Sequence, residues 1–116
     1  MYGVVNNARY LHYLEHCRHQ WLNSLGKSPT VFLEEGMIWT IRQVNITYKT
    51  PLRSGDEITI DACMKEITGV TLSIEQTIQN THTNQLHAQA MVVALLLNQD
   101  HKPMRIPATI RNLFGG

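Results

Sequence analysis

From residue 37 onward, apolar residues fall at every second position, the period of a β-strand with one buried face. Met37, Trp39 and Ile41 share one parity, and Val44, Ile46 and Tyr48 continue on the other. A parity switch near Gln43 is what a β-bulge or a sharp bend in one long strand produces. Pro51 and Gly55 mark a turn over 51–56, and Ile58, Ile60, Ala62 and Met64 form the next strand. Gly69 marks a tight hairpin, followed by the alternating Val70, Leu72, Ile74, Gln76 and Ile78. A polar turn over 80–84 leads into a long strand over 86–97, alternating at first and then apolar on both faces. Residues 98–103 turn again, and 104–106 add a short piece of strand before Pro107.

Ahead of this β region the period changes to three and four. Ala8, Leu11, Leu14, Cys17 or Arg18, Trp21 and Leu25 predict a helix over about 7–25. Asn6 suits its N-cap, because the side-chain oxygen can accept an orphan N–H of the first turn. Val5 and Tyr10 stand at staple spacing around it, and Gly26 suits a left-handed C′ position. Tyr10, Tyr13 and Leu22 widen the apolar surface, so the helix is expected to be covered on more than one side. One long helix and four long strands joined by short turns imply antiparallel neighbours. The expected architecture is α+β, with a curved sheet wrapped around the helix, the single predicted element able to cover its buried face. The apolar end of the 86–97 strand calls for cover on both sides, which points to a homo-oligomer.

A chain of 116 residues supports one domain, spanning 1–116. Only 16% of the residues are charged, so part of the surface is expected to be covered by partner subunits. A net charge of +1 gives no electrostatic reason to expect nucleic acid or an anionic membrane as a partner. Cys17 and Cys63 are far apart and fit neither a disulfide framework nor a zinc knuckle. With no signal-peptide pattern, a reduced cytoplasmic setting is expected. The longest apolar run, 90–97, is too short to span a membrane.

The start of the helix carries more information. Gly3-Val4-Val5-Asn6-Asn7-Ala8-Arg9-Tyr10-Leu11, followed by Tyr13-Leu14-Glu15, resembles the 4-hydroxybenzoyl-CoA thioesterase-like family of hotdog acyl-CoA thioesterases. That family's signature runs aspartate, two residues, glycine, one residue, valine, a small polar stretch and a tyrosine on the central helix. The turn Ser54-Gly55-Asp56-Glu57 and the segment Arg105-Ile106-Pro107 are weaker points of likeness. The resemblance implies a hotdog fold, in which the sheets of two subunits pair and two such dimers form a tetramer. It implies hydrolysis of acyl-CoA to the free acid and CoA, with no cofactor. The family's catalytic aspartate and first strand would precede Met1, so the motif is expected to be that of a chain shortened at its N-terminus.

Thioester hydrolysis needs a polarised carbonyl, and a carboxylate that attacks it or activates water. The resemblance makes the Asn7 backbone N–H the donor to the developing oxyanion, at the positive end of the helix. Gly3 would allow close backbone approach, and Val5, Asn6 and Tyr10 would border the substrate. On the residues alone, Asn6 and Asn7 read as ordinary caps. Glu15 is the in-chain acid that the resemblance offers, about two turns beyond the donor. A surface glutamate paired with Arg18 or Arg9 is the alternative. Asp56 reads as a structural cap on backbone N–H groups.

His12, His16 and His19 share a helical face at metal-ligand spacing. Tyr13 follows His12 where a zinc-protease helix carries glutamate, and no metal is expected. His12 or His16 remains a candidate for proton transfer. Arg42, Lys49, Arg53, Lys65 and Lys102 are candidates for the phosphates of CoA, while Trp39, Tyr48 and Met91 suit either an acyl pocket or the core. The alternative function is acyl-CoA binding without turnover. A hydratase would need a histidine paired with an acid near the helix start, a pattern not seen over 3–9.

Overall fold

The computed structural model describes residues 7–53 and 55–114. The alternating segments become β1 (Ile38–Tyr48), β2 (Ile58–Ile67), β3 (Thr71–Asn80) and β4 (Leu86–Leu97). They form one antiparallel sheet in the order β1-β4-β3-β2. Across it runs α1 (Asn7–Ser24), within one residue of the helix that the three-and-four period predicts. The arrangement is the expected α+β hotdog fold, a long helix against a curved sheet.

The register slips once in each strand pair. In β1 the slip lies between Ile41 and Gln43, where the apolar parity switches, and leaves Arg42 as the extra residue. In β2 it lies between Met64 and Glu66, at Lys65. The third leaves His87 of β4 as the extra residue between the partners of Ile78 and Gln79. Such bulges bend a strand and raise its local twist, which curves a sheet around a helix. Arg42 and Lys65 are exposed, whereas His87 is buried.

The inner face is built from Leu72, Ile74, Gln76 and Ile78 of β3, and Ala88, Ala90, Val92, Ala94 and Leu96 of β4, all buried. Against it α1 lays Tyr10, Leu14, Arg18 and Leu22, spaced four apart. The stripe is rotated from the expected one, since Leu11 is 48% exposed. Two apolar clusters result. Tyr10 and Leu14 pack with Leu52, Ile78, Ala88 and Ala90. Leu22 packs with Phe32, Met37, Leu72, Ala94, Leu96, Ile106 and Ile110.

Two further helices correct the expectation that α1 alone covers the sheet. α2 (Pro29–Glu34) starts at an N-cap, Ser28, whose hydroxyl accepts the Val31 N–H at 3.3 Å, with Pro29 in the first helical position. It buries Phe32, whose ring stacks on Trp39 at 5.4 Å. α3 (Ala108–Leu113) follows Pro107 and buries Ile110. Each spans six residues, too few for a helical period to show in the sequence. Residues 104–106 do not form the extra strand expected of them. A single bridge joins Leu97 to Pro103, and Ile106 donates its N–H to the Gly69 carbonyl at 2.9 Å. Among the described residues, no helix is long and apolar enough to cross a membrane.

Candidate active site

An 18-residue helix aligns its peptide dipoles, and its first turn leaves N–H groups without intrahelical partners. Asn7 is the first residue of α1, and no acidic side chain stands in its first turn. That end therefore keeps its partial positive charge, the property an oxyanion requires. Gly3, Val5 and Asn6 lie outside the described residues.

One turn further on, Tyr10 is buried, and its hydroxyl accepts the Leu52 N–H at 3.0 Å. Its ring meets Tyr48 edge to face at 4.9 Å. On the other side of the same loop, the ring of His87 lies with Nδ1 3.1 Å from the Thr50 carbonyl. A carbonyl only accepts, so Nδ1 carries the proton in this contact. Lys49 and Thr50 return their N–H groups to the His87 carbonyl at 2.9 and 3.3 Å. The 49–52 segment is thus held from the helix by Tyr10 and from the sheet by His87. His87 Nε2 is buried and finds no partner among the described residues. Of the basic candidates, Lys49 and Arg53 flank this anchored loop and are exposed. Arg42 and Lys65 sit on the bulges, and Lys102 on the turn after β4.

Glu15 is exposed, as are His12, His16 and His19. It lies eight residues beyond Asn7, about 12 Å along the helix axis. A glutamate side chain does not span that distance back to the start of its own helix. The alternative pairing with Arg18 takes a loose form. Arg18 Nη1 donates to Gln76 Oε1 at 3.0 Å, while the Glu15 carboxylate favours the arginine charge through space. Burial is the stronger influence and lowers the Arg18 pKa from its ordinary value. Next to it, burial pushes the Cys17 thiol up, against the Gln76 hydrogen bond and the Arg18 charge, with Asp61 adding to the rise. Cys17 Sγ donates to the Ile60 carbonyl at 3.6 Å. The one sign of this polar cluster along the chain is a glutamine on the core parity of β3.

Trp39, Tyr48 and Met91 are not brought into one pocket. Trp39 lies under α2, Tyr48 against Tyr10, and Met91 on the face of the sheet away from α1. Met91 borders a cavity of about 140 Å³ with Asn45, Thr47, Glu75 and Gln89. An apolar cleft of about 250 Å³ lies between Pro29, Thr30, Leu33, Ile38 and Trp39. Neither reaches the described residues at the start of α1. Asp56 acts as the cap expected of it, its Oδ2 accepting the Arg53 N–H at 2.9 Å. Among the described residues, no three His, Cys, Asp or Glu side chains are grouped to hold a metal ion.

Residues 1–114 match the family described as the thioesterase-like superfamily. The chain is 30% identical over 113 residues to the chloroplastic acyl-acyl carrier protein thioesterase ATL3 of Arabidopsis thaliana, covering 97% of this chain and 60% of that protein. The chain thus spans less than two thirds of the plant protein's length. It is 27% identical over 113 residues to the acyl-CoA thioesterase YbgC of Haemophilus influenzae, covering 97% and 82% of the two chains. The crystal structure of Slr0204, a 1,4-dihydroxy-2-naphthoyl-CoA thioesterase from Synechocystis, superposes with a TM-score of 0.87. That match covers 97% of this chain and 84% of the other at 17% identity, a likeness of fold.

Proposed function

Because the chain belongs to the thioesterase-like superfamily, we propose that it hydrolyses acyl thioesters, acyl-CoA in the first place, to the free acid and the thiol. The observation that carries this reading is the family match over 1–114, which includes the start of α1 with no acidic side chain in its first turn. The Asn7 N–H would polarise the thioester carbonyl and stabilise the oxyanion as water or a carboxylate adds to it. Collapse of the tetrahedral species would break the C–S bond and release the thiolate, and where a carboxylate attacks, water would then cleave the resulting anhydride to the free acid.

The in-chain acid would be Glu15, acting on the helix start of a second copy. The axial separation of about 12 Å supports this, because one chain cannot supply both groups to one carbonyl. The exposure of Glu15 leaves it able to meet a second chain. The active protein would therefore be a homo-oligomer, at least a dimer. Gly3, Val5 and Asn6 would line the approach to the carbonyl, with Tyr10 anchoring the loop beside it. Lys49 and Arg53 on that loop suit the phosphates of CoA.

The test is steady-state thiol release from short, medium, long-chain and aromatic acyl-CoAs, and from acyl carrier protein thioesters, by the unaltered chain and by Glu15→Gln. Turnover that falls on the order of a hundredfold or more in the variant supports the assignment. Turnover unaffected by the substitution removes Glu15 from the chemistry. Acyl-CoA binding without turnover replaces the thioesterase reading with that of a binding protein.

A further inference from the structure

The buried stripe of α1 contains one residue out of keeping with the rest. Tyr10, Leu14 and Leu22 are apolar or aromatic, and between them stands Arg18, 6% exposed. Opposite is Gln76, fully buried at the middle of β3. Gln76 uses both ends of its amide on the helix: Oε1 accepts Arg18 Nη1 at 3.0 Å, and Nε2 donates to the Leu14 carbonyl at 3.0 Å. Its neighbours across the sheet are Ala62 and Ala90, so no large side chain competes for the space. The pair lies between the two apolar clusters of the core.

The spacing gives this pair a consequence beyond packing. With buried residues at 10, 14, 18 and 22, sliding α1 by four residues, about 6 Å, lays the same stripe on the same sheet face. Apolar contact discriminates less between the two registers, because one of Tyr10 and Leu14 then takes the other's place, and Leu14 or Leu22 takes that of Arg18. The polar pair discriminates strongly. A slip sets Leu14 or Leu22 against Gln76 and strands both the amide and the guanidinium without partners in the interior. Buried polar pairs add little net stability compared with apolar residues of similar size, and fixing register is their best-attested use.

We propose that Arg18 and Gln76 are positioning residues that set the axial register of α1 on the sheet, and so place the Asn7 backbone N–H for thioester hydrolysis. This rests on the thioesterase reading above. Asn7 lies about 16 Å from Arg18 along the axis, and an error of one ångström at a reacting centre can cost on the order of a hundredfold in rate.

The experiment replaces the pair by apolar residues of similar size, Arg18→Met with Gln76→Leu, in the full chain. Melting temperature and steady-state thiol release are measured beside the unaltered protein. The expected result is melting at or above that of the unaltered chain, with kcat lower by on the order of ten- to a hundredfold and KM within about twofold. A double variant that melts normally and keeps full kcat overturns the proposal. Should the double variant not fold, Arg18→Lys decides, since it keeps a charged donor for Gln76 Oε1 and leaves the Gln76–Leu14 bond intact. Its kcat is expected within about threefold of the unaltered chain, and a loss of about tenfold or more at unchanged melting overturns the proposal. Failure of the thioesterase reading is recognised separately, by an unaltered chain that releases no thiol from any substrate.

Discussion

The hydroxyl of Tyr10 accepts the backbone N–H of Leu52 at 3.0 Å inside the core, tying the first turns of α1 to the loop that leaves β1. Leu52 is 2% exposed, so no water stands ready to replace that oxygen. Tyr10→Phe keeps the ring and its edge-to-face contact with Tyr48, and removes the acceptor alone. A buried donor left unpaired costs about 1–3 kcal/mol, and the urea midpoint is expected to fall accordingly. An unchanged midpoint would show that the loop finds another acceptor.

The C-terminus of α1 closes in a Schellman motif. Gly26 donates to the Asn23 carbonyl and Lys27 to the Leu22 carbonyl, each at 2.9 Å, with Gly26 at φ +76°. A Cβ at Gly26 would meet no atom within 4 Å, so the cost of Gly26→Ala is backbone strain alone. It is expected to destabilise the chain by about 1 kcal/mol in equilibrium unfolding. Ala at Gly36, also at positive φ, would make an ordinary contact with the Gln99 side chain at 3.6 Å, and should cost about the same.

Cys17 predicts a pH effect whose sign follows from its burial. Its thiol pKa is raised in the fold above the ordinary value of 9.0, chiefly by burial. The unfolded chain therefore loses this proton first as pH rises, and proton loss pulls the equilibrium towards unfolding. The contribution is fully present below about pH 9 and is lost as pH climbs through the raised value. The melting temperature of the unaltered chain is expected to drop more steeply above about pH 9 than that of Cys17→Ala. Parallel curves would contradict this. In the same range, exposed Cys63 should react with a thiol reagent well before Cys17.

The bulge in β1 was legible because a bulge changes which parity faces inward, and the apolar residues of 37–48 record that change directly. The extent of α1 was legible for the same reason, but its rotation was not. A stripe of three-and-four spacing fits Cys17 or Arg18 equally, and only the sheet opposite selects Arg18, through a glutamine 58 residues away. α2 and α3 are too short to show a period, and each is held by one buried residue, Phe32 or Ile110. His87 could not be found by alternation, because the bulge that buries it also removes it from the pattern. At the candidate site, the sequence offered Asn7 at the helix start and Glu15 as a candidate acid. That one chain cannot bring Asn7 and Glu15 to the same carbonyl follows from the helix once its full course is known.

That separation leads to the most direct test of the account. Asn7→Pro removes the N–H donor at the first helical position, where proline is tolerated, and Glu15→Gln removes the acid. Each variant alone is expected to be inactive towards acyl-CoA. The two are co-expressed in equal amounts, so that mixed oligomers form, and thiol release is measured. If one chain's helix start works with its neighbour's Glu15, each mixed dimer holds one intact site and one doubly altered site. Activity then returns to about a quarter of that of the unaltered protein. If both groups act within one chain, the mixture stays as inactive as its parts, and the shared-site account is wrong.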